Sequence, residues 1–208
     1  MKILDISPVF RPGMACWPGD MPFRVDQVMR IADGSTVNVA QLTISSQVGS
    51  HTDAPLHYRA DGRAAADLPL EPYIGPCVVV DARASTGATI GIEVLAQVPP
   101  RVERVLLRQY ERYPEIWDPA FKGIDPALVE ALAARGVKLI GIDAASVDAA
   151  ESKTLDAHRA MDRYDIRIVE GLVLDAIPAG AYELIALPLK LDGSDGAPMR
   201  AVLRPLAP

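Results

Sequence analysis

At 208 residues, half of them hydrophobic and 23% charged, the chain can bury a sizeable core and predicts a single domain over residues 1–208. Its net charge of -6 and pI near 5.1 leave no basic stripe to neutralise phosphates, which excludes nucleic acid as the expected partner and favours a small molecule. The amino terminus, Met1-Lys2-Ile3-Leu4-Asp5-Ile6-Ser7, lacks the apolar run of a signal peptide, and no later apolar run approaches the length of a bilayer span, so a soluble cytoplasmic protein without a membrane partner is expected.

Eighteen prolines and fifteen glycines, spread throughout, predict many short strands and ordered loops rather than a helical bundle. Residues 3–6 read as a first strand, followed by the irregular Ala15-Cys16-Trp17-Pro18-Gly19-Asp20 loop. Trp17 there either covers a core edge or walls a pocket for a planar substrate. Strands over 23–31 and 35–46, joined at Asp33-Gly34, predict an antiparallel hairpin that leads into Gln47-Val48-Gly49-Ser50-His51-Thr52-Asp53-Ala54-Pro55-Leu56-His57. The continuous apolar run 77–81 fits a buried strand, and 101–109 offers another. Asp125 as N-cap, Pro126 in the first turn and Gly136 as the stop bracket a helix over 127–135. An apolar, β-branched strand over 137–143 follows, so the helix is expected to pack on a sheet. Thr154 is expected to cap a second helix running to Arg163, with Leu155, His158 and either Met161 or Asp162 on one face. Strands over 166–174, 182–191 and 199–203 complete the chain, the last two flanking a loop over 192–196.

The chain has only three histidines, and all lie in two short segments. His51, Asp53 and His57 crowd beside Gly49 and Pro55, where imidazole and carboxylate at irregular spacing suit a metal site better than a packed strand. His158 alone reads as a satisfied helix histidine and Glu170 alone as the partner of a surface cation. Jointly they say more, because an acidic residue in a buried strand is costly unless it is paired or bound to metal. Competing chemistries find less support. There is no Gly-x-Ser-x-Gly elbow, no phosphate-binding glycine loop and no dinucleotide fingerprint. Cys16 and Cys77 have no evident base nearby and are expected as free thiols in a reducing compartment.

These residues resemble a known family. Gly49-Ser50-His51-Thr52-Asp53-Ala54-Pro55-Leu56-His57 is similar to the His-x-Gly-Thr-His-x-Asp-x-Pro-x-His signature of the metal-dependent cyclases. The Trp17-Pro18-Gly19-Asp20 loop, Gly141-Ile142-Asp143, Ser152-Lys153-Thr154-Leu155-Asp156-Ala157-His158 and Glu170-Gly171-Leu172 extend the likeness toward the bacterial kynurenine formamidase branch. The resemblance implies an α/β (α+β) protein with the cyclase-type β/β/α architecture, a mixed, largely antiparallel sheet and few helices, assembled as a homodimer or a larger oligomer. It also implies two zinc ions, with manganese in some relatives: His51 as a ligand of the first, Asp53 and Glu170 shared, His158 on the second. His57 would be the catalytic acid/base and Trp17 the wall of the substrate pocket.

One position departs from the signature. Where its first histidine belongs, the chain has Gln47, whose neutral amide oxygen is a poorer zinc donor than imidazole and better matched to harder ions. The first site is therefore expected to bind weakly, to take manganese or magnesium, or to leave a single metal on Asp53, His158 and Glu170. The activity implied is hydrolysis of an aromatic formamide, N-formyl-L-kynurenine, to L-kynurenine and formate. The alternatives are an isatin-hydrolase-like cyclic amide or lactone hydrolase on the same site, or a non-catalytic ligand-binding relative whose metal site has decayed at Gln47.

Overall fold

The structure is a computed structural model describing residues 2–206. Its strands in chain order are β1 (Leu4–Asp5), β2 (Arg24–Met29), β3 (Val39–Thr43), β4 (His51–Asp53), β5 (Ile74–Asp81), β6 (Thr89–Ile90) and β7 (Arg104–Arg108), then β8 (Gly123–Ile124), β9 (Leu139–Ile142), β10 (Arg167–Glu170), β11 (Gly180–Ile185), β12 (Gly196–Pro198) and β13 (Val202–Pro205). Two α-helices, α1 (Pro126–Ala134) and α2 (Asp156–Arg163), join them.

Nine strands form one sheet in the order β1-β13-β11-β5-β7-β9-β10-β4-β12. The middle of it, β5-β7-β9-β10, is parallel, and every pairing outside that block is antiparallel. The mixed, largely antiparallel sheet with few helices is thus the one expected. The parallel block follows from composition: β7, β9 and β10 are buried along their whole length apart from Arg108, and such strands need cover on both faces. Successive side chains point to opposite faces. Val105, Leu107, Ile140 and Ile142 therefore meet Leu128, Leu132 and Met161 of the helices, while Leu106, Leu139 and Val169 meet Ile6, Tyr73, Leu184 and Leu203 on the other side. Each fully buried Leu or Ile contributes roughly 1.5–3 kcal/mol.

Helix α1 starts as predicted: the Asp125 side chain accepts the Ala127 N–H at 2.8 Å, and Pro126 fills the first turn. Helix α2 does not. It begins at Asp156, with Leu155 as N-cap at φ 51° and no side-chain cap of its own, while Thr154 Oγ1 donates to Asp156 Oδ2 instead. The strand expected over 182–191 stops at Ile185, beyond which Pro188 makes only an isolated antiparallel bridge to Met199. The loop expected over 192–196 gives up Gly196 to β12, which pairs with β4. Strands β2 and β3 form the expected antiparallel hairpin, a separate sheet whose residues are all exposed except Thr43.

For the site, the decisive element is β4. It lies between β10 and β12, with His51 directly opposite Glu170 and Asp53 opposite Gly196.

Candidate metal centre

His51 and Asp53 are two residues apart on one strand and so share a face. The register sets Glu170 beside His51, because directly opposed side chains in an antiparallel pair lie about 5 Å apart. His158 enters from the first turn of α2. The structure thus brings His51, Asp53, His158 and Glu170 together, all of them buried. His158 Nε2 lies 3.0 Å from Asp53 Oδ2 and 3.8 Å from Glu170 Oε1. His51 Nε2 lies 3.5 Å from Asp53 Oδ1 and 3.3 Å from Glu170 Oε2.

Each imidazole is aimed by its other nitrogen. His51 Nδ1–H donates to the Gly49 carbonyl at 2.9 Å, and His158 Nδ1–H to Asp148 Oδ2 at 2.7 Å. Both Nε2 atoms therefore point at the two carboxylates, the arrangement in which imidazole binds metal. Glu170 is held in turn by the Val147 N–H, which donates to Oε1 at 2.8 Å. Gly171 permits the close strand contact behind the site: a Cβ there would sit 2.1 Å from the Gly49 carbonyl oxygen, on a backbone with φ +65°.

The donor set fits a divalent cation. His51 Nε2 and Asp53 Oδ1 are buried with no hydrogen-bond partner, an arrangement costing about 1–3 kcal/mol per group unless something else satisfies it. Ligand atoms of His51, Asp53 and Glu170 lie within 4.8 Å of one another, as do those of Asp53, His57 and His158. Mixed nitrogen and carboxylate donors suit zinc or manganese. The local field also calls for positive charge. Burial opposes an imidazolium at His51, but the negative charge of Asp53 and Glu170, 3.5 and 3.3 Å from Nε2, outweighs it and pushes the pKa up to about 10. For His158, burial likewise yields to Asp148 and Asp53, and the value rises to about 10.

His57 closes a single turn of 3-10 helix, Pro55–His57, and its side chain is a third exposed. Its Nδ1 lies 3.0 Å from Asp195 Oδ2, and its ring centroid is 6.0 Å from that of His158. Gln47 also turns to Asp195, Nε2 to Oδ2 at 3.2 Å. The site floors a cavity of about 510 Å³, a size suited to a small ligand. Trp17 lines that cavity with Trp117, ring centroids 4.9 Å apart and edge to face, with Phe121 behind them.

Three residues at this site escaped sequence reading: Asp148, Trp117 and Asp195. Asp148 accepts the Ala157 and His158 N–H groups at 3.0 and 3.1 Å. It thereby supplies the cap that α2 lacks, and with Thr154 offering itself as the cap in the sequence no local signal pointed to Asp148. Trp117 is one of only two tryptophans and follows Tyr110 and Tyr113, an aromatic clustering that could have marked it. For Asp195 no local signal existed.

The mixed sheet thus carries a buried cluster of histidines and carboxylates, anchored on β4, next to the edge strand β12. Residues 4–149 match the family model for cyclases, and the chain belongs to that family. It is 47% identical over 206 residues to the kynurenine formamidase of Maricaulis maris, covering 99% of both chains. Among solved structures, a predicted metal-dependent hydrolase from Bacillus stearothermophilus superposes with TM-score 0.82 at 25% identity, covering 97% of each chain. Isatin hydrolase A from Labrenzia aggregata has the same fold, with TM-score 0.81 at 23% identity over 97% of this chain and 93% of that one.

Proposed function

We propose that the protein is a metal-dependent amidohydrolase that converts N-formyl-L-kynurenine to L-kynurenine and formate. The observation that carries this is the pair of unpartnered buried atoms, His51 Nε2 and Asp53 Oδ1, in a relative 47% identical to a kynurenine formamidase. Zinc is the favoured ion, in two sites held by His51, Asp53 and Glu170 and by Asp53, His158 and Glu170; with Gln47 turned toward Asp195, a single ion or manganese is the variant reading. When bound, the metal would polarise the formyl carbonyl and acidify water.

The chain's own residues do the rest. His57 takes a proton from the attacking water as the new C–O bond forms, then delivers it to the aniline nitrogen as the C–N bond breaks, releasing formate and the free arylamine. The His57 imidazole is a third exposed and lines the cavity beside the buried cluster, within reach of both substrate and solvent. Trp17 and Trp117 hold the substrate's ring. The chain acts as one cytoplasmic domain, and among the described residues no helix is long and apolar enough to cross a membrane. We assign it as a homodimer because the β2–β3 hairpin leaves Val28 at 62%, Leu42 at 59% and Ile31 at 57% exposure. A two-stranded hairpin is marginal alone, and large apolar side chains exposed in this number along it mark a protein interface.

The test is a substrate panel with zinc or manganese supplied: N-formyl-L-kynurenine, a cyclic amide of the isatin type and an aryl lactone. Formamide turnover is expected to lead, with Trp17→Ala raising KM and His57→Ala lowering kcat. Preference for the cyclic substrates would move the assignment to an isatin-hydrolase-like activity. Tight binding of aromatic ligands with no turnover of any substrate would make the protein a non-catalytic binder.

A further inference from the structure

We infer that Gln47 serves His57 rather than a metal ion: with Asp195 it forms a positioning pair that fixes the tautomer and the aim of the His57 imidazole. This inference rests on the reading of His57 as the proton-transferring group. Asp195 is the hub of a small network that joins three segments of the chain. Its Oδ2 lies 3.0 Å from His57 Nδ1 and 3.2 Å from Gln47 Nε2, and its Oδ1 accepts the Ser46 hydroxyl at 2.6 Å.

A carboxylate carrying these neighbours only accepts, so Gln47 must present its NH2 group there, whereas a metal would require the amide oxygen. The same logic fixes His57: Nδ1 carries the proton donated to Asp195, which leaves the Nε2 lone pair free for the reacting proton. A ring nitrogen of His57 lies within 4.8 Å of ligand atoms of both Asp53 and His158, so the imidazole stands at the edge of the buried cluster.

The backbone is shaped for this arrangement. Asp195 sits immediately before β12, where its carbonyl accepts the Ala54 N–H at 2.9 Å, and this ties it to the strand that carries His51 and Asp53. The next residue is Gly196, and a Cβ there would lie 2.6 Å from Gln47 Nε2 and 2.9 Å from the Thr52 carbonyl oxygen. The Gln47 amide thus occupies space that only a glycine leaves. A neutral donor also leaves the carboxylate's charge for the imidazole, which is held in place by it.

The experiment compares metal-loaded wild type with Asp195→Asn, Gln47→Leu and His57→Ala. Metal content is read by elemental analysis, and kinetics on N-formyl-L-kynurenine and on an aryl formate ester whose phenolate departs without a proton. Asp195→Asn is expected to lower kcat on the formamide about 10- to 100-fold and Gln47→Leu roughly fivefold, with KM and metal content unchanged and the ester, which needs His57 only to take the water's proton, less affected than the formamide. Loss of metal in Gln47→Leu would make Gln47 a ligand and overturn the inference. So would equal losses on both substrates, or none, in Asp195→Asn while His57→Ala still discriminates between them. If His57→Ala itself shows no preference between formamide and ester, the role given to His57 falls, and the positioning role falls with it.

Discussion

Replacing Asp148 with asparagine separates metal binding from folding at this site. Asp148 Oδ2 accepts His158 Nδ1–H at 2.7 Å and the His158 backbone N–H at 3.1 Å, and Oδ1 accepts the Ala157 N–H at 3.0 Å. Asparagine keeps the shape and one acceptor oxygen, but it loses the charge and sets an NH2 group against one of these donors. Hydrogen bonds to a charged group are worth about 1.5–3 kcal/mol and neutral ones about 1, so the metal-free protein should lose about 1–3 kcal/mol of stability in denaturant. With the His158 tautomer no longer enforced, metal affinity should fall about 10- to 100-fold, or about 1.4–2.7 kcal/mol, in competition with a chromophoric chelator. The pH dependence has a definite sign. Burial pushes the Asp148 carboxyl up, but His158 and the two backbone N–H groups outweigh it and hold it below 3.8. Its contribution is therefore present above that pH and lost as pH falls through the folded value, so the gap between metal-free wild type and variant should close under acid. Unchanged affinity in a destabilised variant would refute the argument and leave Asp148 as a helix cap alone.

Other expectations follow from the same geometry. Trp117→Ala opens the wall beside Trp17 and should raise KM with little change in kcat; a kcat effect alone would place Trp117 outside the substrate contact. With the His51 and His158 values both pushed to about 10, metal-free protein at pH 8 holds both protons, and titration with metal should release about two, read by calorimetry in buffers of different ionisation enthalpy. Release of none would mean that the imidazoles are already neutral. Gly171→Ala drives a Cβ to 2.1 Å from the Gly49 carbonyl oxygen at φ +65°; it should cost more than about 2 kcal/mol in chemical denaturation, and wild-type stability would show that this contact yields.

How far the sequence reached depended on the range over which each feature is set. Capping of α1 by Asp125, the β2–β3 hairpin and the buried strands are local matters of cap chemistry, turn residues and apolar runs, and each was legible. Thr154 was misread because a hydroxyl before a helix is a good cap only when the backbone there is extended, and the left-handed Leu155 turns the chain so that Asp148, eight residues earlier than the first helical residue, supplies the acceptor.

The sequence by itself determined that His51 and Asp53 share one face, because the two-residue period of a strand is a property of the backbone alone. It also determined that Glu170 needs a partner, because a carboxylate in an apolar strand has no cheap alternative. Only the tertiary structure decided which partner. The antiparallel register of β10 against β4 sets Glu170 opposite His51, α2 delivers His158, and β12 closes the other side of β4 with Asp195. Strand register and helix docking are fixed by the two apolar cores, built from residues spread over the whole chain. No short segment contains that information, so the turn of Gln47 away from the buried cluster and onto Asp195 came into view only with the fold.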